Sequence, residues 1–235
     1  MVAEHMHDPL GHFIWVKPGA KVTLPVQTFS LIETPQSRQF THDVSLIDAG
    51  AEVELSAGAA APTRTHRGRH ISIDETYLRA GAKCSSVSIE RWGDEMESAS
   101  FSFSRLEAGA ISRSTAIKLS PIARDTTEAY AELSEDATAI SQAILFAPEG
   151  TERTLNSTTR LSGAGAKCED VARMVSTGGV IINDAKLIGD APGVTGFLGC
   201  DGLKLADTGV ISATPALVAY APDASLSHEA SVGMI

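Results

Sequence analysis

A run of small residues recurs along this chain just ahead of segments with strand-like alternation: "DAGAEVEL", "RAGAKCSS", "EAGAISRS", "SEDATAIS", "SGAGAKCE", "NDAKLIGD", "ADTGVISA" and "PDASLSHE". Through the middle of the chain these corners come about 28 to 30 residues apart, tightening to about 15 to 25 near the end, a period that indicates a solenoid. A β-solenoid winds strands into stacked parallel ladders, and every coil must turn tightly at its corners. Gly and Ala suit those corners because a bulky Cβ would meet the coil above. The repeats are imprecise, and a β-sandwich also spaces its turns regularly.

Between the corners the pattern has a period of two. In "SASFSFSRL" Ala99, Phe101 and Phe103 fall on one side and Ser100, Ser102 and Ser104 on the other. "HISIDETYL" alternates through Ile71 and Ile73, and "AIKLSPI" through Ile117 and Leu119. "GGVIIN", from Gly178 to Asn183, reads as a strand buried on both faces. One segment, "TTEAYAELSEDATAISQAI", has an Ala-rich spacing close to helical. Its "SED" falls where a corner is due, so it reads as strand, turn, strand. The expectation is an all-β parallel β-helix forming a single domain over residues 1–235.

The chain has 235 residues, a formal net charge of −10 and only 5% aromatic residues. That acidity excludes a nucleic-acid partner, which needs a basic face. The basic cluster "RTHRGRH", Arg64 to His70, reads as a solvated loop. No apolar run reaches the length of a membrane helix, and the start, "MVAEHMHDPLGHF", lacks the pattern of a secretion signal. Three cysteines without framework spacing fit a reducing compartment. A cytoplasmic protein with no nucleic-acid or membrane partner is expected. There is no P-loop, no GxGxxG after a strand, no GxSxG and no HExxH.

The chemistry that remains is thin. Cys84 and Cys168 both occur in "GAKC", and their equivalence makes them inward-facing core residues. His5 and His7, in "HMH", are a chelating pair of the kind a mobile terminus carries without function. Cys200 breaks the "GAKC" pattern: it stands in "GFLGCDGL", where the flanking glycines predict a reachable loop thiol that packs against little. His228 and Glu229 are adjacent and so point to opposite faces of a strand. Cys200 and His228 are separated by about one repeat, which would set them on neighbouring coils about 4.8 Å apart. A thiolate and an imidazole that close form a soft-metal ligand pair, suited to iron–sulfur species, zinc or copper(I). A buried cysteine and a surface His–Glu pair fit the same spacing.

From about Leu46 onward the chain resembles the SufB/SufD family, scaffold components of iron–sulfur cluster assembly. The residues that carry the resemblance are "CDGL" (Cys200 to Leu203), "SATPAL" (Ser212 to Leu217) and "LSHEASVGMI" (Leu226 to Ile235). "THRGRHISIDETYLRAGAKC" and "ERWGDE" extend it toward the N-terminus. The resemblance implies a right-handed parallel β-helix that pairs with a like subunit through its C-terminal end, here a homodimer. It also implies work with SufC, an ABC-type ATPase, and a scaffold that is not itself an enzyme. Cluster assembly in the family involves the cysteine of "C-D-x-L" and the His–Glu of "HEA", which correspond to Cys200, His228 and Glu229. Glu229 in particular resembles SufB. Gly199 and Ala216 depart from the glutamates common in related members, and the helical segment by which the family binds its ATPase does not follow "HEA" here. Two rivals remain on the residues alone: a β-helical carbohydrate-active enzyme, poorly served by two Trp and three Tyr, and an oligomerisation module without ligand chemistry.

Overall fold

A computed structural model describes residues 10–62 and 67–234. His5, His7 and the Arg64 end of the basic cluster lie outside the described residues. Seventeen strands follow one another: β1 (Phe13–Val16), β2 (Val26–Leu31), β3 (Arg38–Ile47), β4 (Glu52–Ala60), β5 (Arg69–Leu78), β6 (Lys83–Arg91), β7 (Glu97–Leu106), β8 (Ile111–Lys118), β9 (Arg124–Leu133), β10 (Thr138–Pro148), β11 (Glu152–Leu161), β12 (Lys167–Thr177), β13 (Val180–Gly189), β14 (Thr195–Lys204), β15 (Val210–Ala213), β16 (Ala216–Ala219) and β17 (Ser225–Met234). No helix occurs among the described residues.

The odd strands from β1 to β15 form one sheet in chain order, with β16 also pairing β13. The even strands from β2 to β14 form the second sheet, and β17 closes it beside β14. Every ladder between named strands is parallel. The chain alternates between the sheets, two strands to a coil, which makes it a parallel β-helix. Cross-coil bonds such as Arg153 to Asp125 span 28 residues, the repeat read from the corners. The "TTEAYAELSEDATAISQAI" segment is β9, corner, β10, as the corner spacing required.

Register stacks like on like. Val16, Ile47, Leu78, Leu106, Leu133 and Leu161 are successive partners along one sheet, each at most 5% exposed. Burying side chains of this size is worth roughly 1.5–3 kcal/mol each. At the adjoining corner Ala51, Ala82, Ala110, Ala137 and Ala166 are fully buried. The glycine just before each alanine has a different reason to be there. Gly50, Gly81 and Gly109 have φ of 65–67° with nothing within 4 Å of an added Cβ. The left-handed backbone selects them, not crowding by the next coil. Asp136 takes the same turn with a φ of 52°.

Two expectations change, and one facing that the alternation left open is decided. "NDAKLIGD" is not a corner: Asn183, Asp184 and Ala185 lie inside β13. "GGVIIN" does not make a doubly buried strand, because Ile181 and Asn183 are buried while Val180 and Ile182 are half-buried on the outer face. In β7 the serines share the inward face with Leu106, and Phe101 points out with 39% exposure. The outer aromatics pack along the ladder: the Phe103 ring stacks on Tyr130 at 6.0 Å and lies 5.9 Å from Tyr77.

The interior also encloses charge. Lys118 Nζ lies 3.1 Å from Glu90 and 3.2 Å from Asp125, and donates to Thr127. Arg153 donates to Asp125 at 2.7 Å and to the Ser120 carbonyl at 2.6 Å. Burial works against the charged Lys118, but Glu90 and Asp125 outweigh it and hold the ammonium above its ordinary pKa. Two cations face two carboxylates, so the cluster is charge-balanced and hydrogen-bonded, the condition for burying ions at all.

Candidate functional site

Cys200 is not on a loop. It lies in the middle of β14, side chain inward and 1% exposed, with Ala172 on β12 and Ala230 on β17 as its register partners. It packs with Leu145, Met174 and Ile181 in the small apolar cluster of the last coils. The glycines that imitate a loop serve close packing. A Cβ on Gly196 would sit 2.3 Å from Leu187, one on Gly199 3.0 Å from the Phe197 ring, and one on Gly202 3.0 Å from both Ile211 and Val232. Glycine spacing in this segment therefore records crowding within a strand.

His228 lies on β17 opposite Leu198, and Ala230 lies opposite Cys200. Leu198 and Cys200 both face inward, so His228 stands on the Cys200 face, one coil over and two residues along, roughly 8 Å away by strand geometry. The expected spacing of about 4.8 Å does not hold, because the last coil is 30 residues long and sets Ala230 opposite Cys200. Glu229 is opposite Gly199 and on the other face, as the adjacency required. Both His228 and Glu229 are exposed. β17 is the free edge of its sheet, and from Ser227 to Met234 both of its faces are open. The end of the solenoid thus brings Cys200 and His228 to one wall and puts Glu229 on the outside. Among the described residues no three His, Cys, Asp or Glu gather closely enough to hold a metal ion.

Two further residues belong to the site and were not read from the sequence. Asn183, buried on the opposite sheet, donates from Nδ2 to Cys200 Sγ at 3.3 Å. Asp170 faces inward on β12 and accepts from Ser141 at 2.7 Å and Ser157 at 3.2 Å. Burial pushes the Asp170 carboxyl up, and its two hydroxyl donors only temper that. Burial likewise pushes the Cys200 thiol up, with the Asn183 amide pulling the other way and Asp170 and Asp201 adding to the rise. Asn183 hid because "NDA" imitates the corner motif. Its strand register, not its composition, is the signal that finds it.

The chain matches the sequence profile of the family described as "SUF system FeS cluster assembly, SufBD core domain" over residues 30–235. It belongs to the SufBD family. Among SufBD relatives, an "Iron-sulfur cluster assembly SufBD family protein" of Archaeoglobus fulgidus is 35% identical over 228 residues, which is 97% of this chain and 61% of the relative. A Methanothermobacter thermautotrophicus protein of the same description is 29% identical over 96% of this chain and 55% of its own length. The "Iron-sulfur cluster assembly protein SufB" of Bacillus subtilis is 29% identical over 86 residues, 37% of this chain. The SufBD chain described here therefore spans somewhat over half the length of its longer archaeal relatives.

Proposed function

We propose that this chain is the β-helical core of a scaffold on which iron–sulfur clusters are assembled as cargo, with Cys200 and His228 as ligands. The observation that carries the reading is their shared wall: one thiol and one imidazole on adjacent strands at the open end of the solenoid. Thiolate and imidazole are both ligand types that iron–sulfur centres accept. The family match and the archaeal relatives point to the same cargo.

One chain supplies two ligands on that wall, which favours a homodimer that meets at β17 and brings two such walls together. The unpaired edge of β17 and its exposed Val232 and Met234 are the surface such pairing would cover. Glu229, on the outer face, is placed to reach a second chain as a ligand or to orient and protonate the site from outside. The chain carries no nucleotide-binding motif, so ATP-driven steps belong to a partner, a SufC-like ABC-type ATPase. In this reading the scaffold is not an enzyme and works in the cytoplasm.

Anaerobic reconstitution with iron and sulfide, read by visible absorption, tests the ligands. Cys200→Ala should abolish the absorption and His228→Ala should weaken or alter it. Cys84→Ala and Cys168→Ala should leave it intact. Equal absorption from the parent and Cys200→Ala would end the proposal.

A further inference from the structure

Asn183 is an amide set between apolar neighbours, in a column that carries only hydroxyls further along, at Thr127, Ser100 and Ser72. Its register partners are Leu155 on β11 and Ala213 on β15. Ile181 and Ala185, which share its face of β13, are both buried, and Asn183 itself is 2% exposed. A primary amide in such a place carries a desolvation penalty that only hydrogen bonds relieve. The bond its Nδ2 makes is to Cys200 Sγ, at 3.3 Å. Sulfur is a weak acceptor, so this bond offsets little of the penalty. A leucine would match the Leu155 beside it without that penalty. A position that breaks the local rule without a return in stability is where function is expected.

We propose that Asn183 is a positioning residue for Cys200: its amide, held on the opposite sheet, fixes Sγ in place and tunes the sulfur for the iron it receives. The inference rests on the reading of Cys200 as an iron ligand. The bond crosses the lumen from one sheet to the other, so the sulfur is tied to a strand that does not pair with the His228 strand. An N–H donated to a ligand sulfur draws electron density from it and favours the more reduced cluster. Outer partners that orient a ligand are typically worth about 10–100-fold in metal affinity.

The test uses the full chain with three variants, Asn183→Leu, Asn183→Asp and Cys200→Ala. Asn183→Leu keeps the size of the side chain and removes the donor, and Asn183→Asp keeps the shape but turns the donor into an acceptor. In the cluster-free chain, the Asn183 side-chain amide signal in a nitrogen–proton spectrum should move when Cys200→Ala is made. In the reconstituted chain, both Asn183 variants should lose iron to a ferrous chelator about tenfold faster and show a more negative midpoint potential. Asn183→Leu should do so with an equal or higher melting temperature, which a purely structural asparagine would not allow. An amide signal that ignores Cys200→Ala overturns the proposal with or without a cluster. So do Asn183 variants that match the parent in potential and iron retention while Cys200→Ala loses the absorption. If Cys200→Ala itself retains the absorption, the ligand reading fails first and takes this inference with it.

Discussion

Burial governs the three thiols. Cys84 and Cys168 occupy one column of the ladder, joined through Ser112 and Ala139, and burial raises their pKa to about 11 and about 12. Neither should alkylate in the native chain at pH 8, and Cys84→Ala or Cys168→Ala should each cost about 1–2 kcal/mol in urea unfolding. A loop thiol at Cys200 would have been free of any such cost. Its burial beside Ala172 in the apolar cluster of the last coils predicts a loss for Cys200→Ala of the same order, so its effect on cluster binding has to be read against a stability control. Asp74 gives a second residue-level prediction. Desolvation raises its carboxyl to about 6, against a hydrogen bond from Ser72 that lowers it, while the neighbouring Asp43 adds to the rise. The folded chain then holds this proton more tightly than the unfolded one, so the parent gains stability as pH falls from about 6 toward 4. Asp74→Asn should stabilise by about 1–2 kcal/mol at pH 8, and that gain should vanish near pH 4 in a series of urea titrations.

At the scale of elements, the corners were legible and the facing of the strands was not. A left-handed turn demands Gly, and Gly recurs, so the sequence betrays each coil. In β7, however, the same period of two fits phenylalanine inside or serine inside. The outcome depends on aromatic stacking along the outer ladder, Phe103 on Tyr130 and beside Tyr77, which pairs residues a coil apart and leaves no local mark. Cys200 failed to be read for a related reason, since glycine marks both turns and crowding. That it shares a wall with His228 follows from the repeat, but the exact register does not: the last coil is 30 residues long, so Ala230 and not His228 lies opposite Cys200. The corner argument has a direct check. Gly81→Ala should destabilise by about 1 kcal/mol although its Cβ would meet nothing. Asp136→Gly, at the corner that lacks glycine, relieves the left-handed backbone at some cost in chain entropy and should stabilise by about 0.5–1 kcal/mol. Thermal unfolding that shows Gly81→Ala to be neutral would return the cause to packing. The ionic cluster behaves differently, because removing one partner strands another: Lys118→Met leaves Glu90 without its cation while Arg153 still holds Asp125, and should cost about 3–5 kcal/mol.

At the scale of the whole molecule, each coil touches only its neighbours, so stability is a sum of coil and interface contributions and is lowest at the ends. In an isolated solenoid the amides of β1 and β2 at one end, and of β17 at the other, should exchange with solvent fastest, and those of β7 to β12 slowest. The two ends are not equivalent in chemistry. β17 continues the ladder with a full ten-residue strand whose inward face carries His228, Ala230, Val232 and Met234 into open solvent. Strand edges of this length are normally covered or blunted by charge, and Glu229 alone is charged along it. Pairing of two chains at this end would bury that edge and join two Cys200–His228 walls. Hydrogen exchange at several protein concentrations separates the cases. If a homodimer forms there, protection of Ser225–Met234 should rise with concentration while β1 and β2 remain fast, and light scattering should give twice the chain mass at micromolar concentration. A chain that stays monomeric, or whose concentration-dependent protection falls on β1 and β2, would place the second ligand wall on another protein. Cys200 and His228 would then be one half of a site that a different subunit completes.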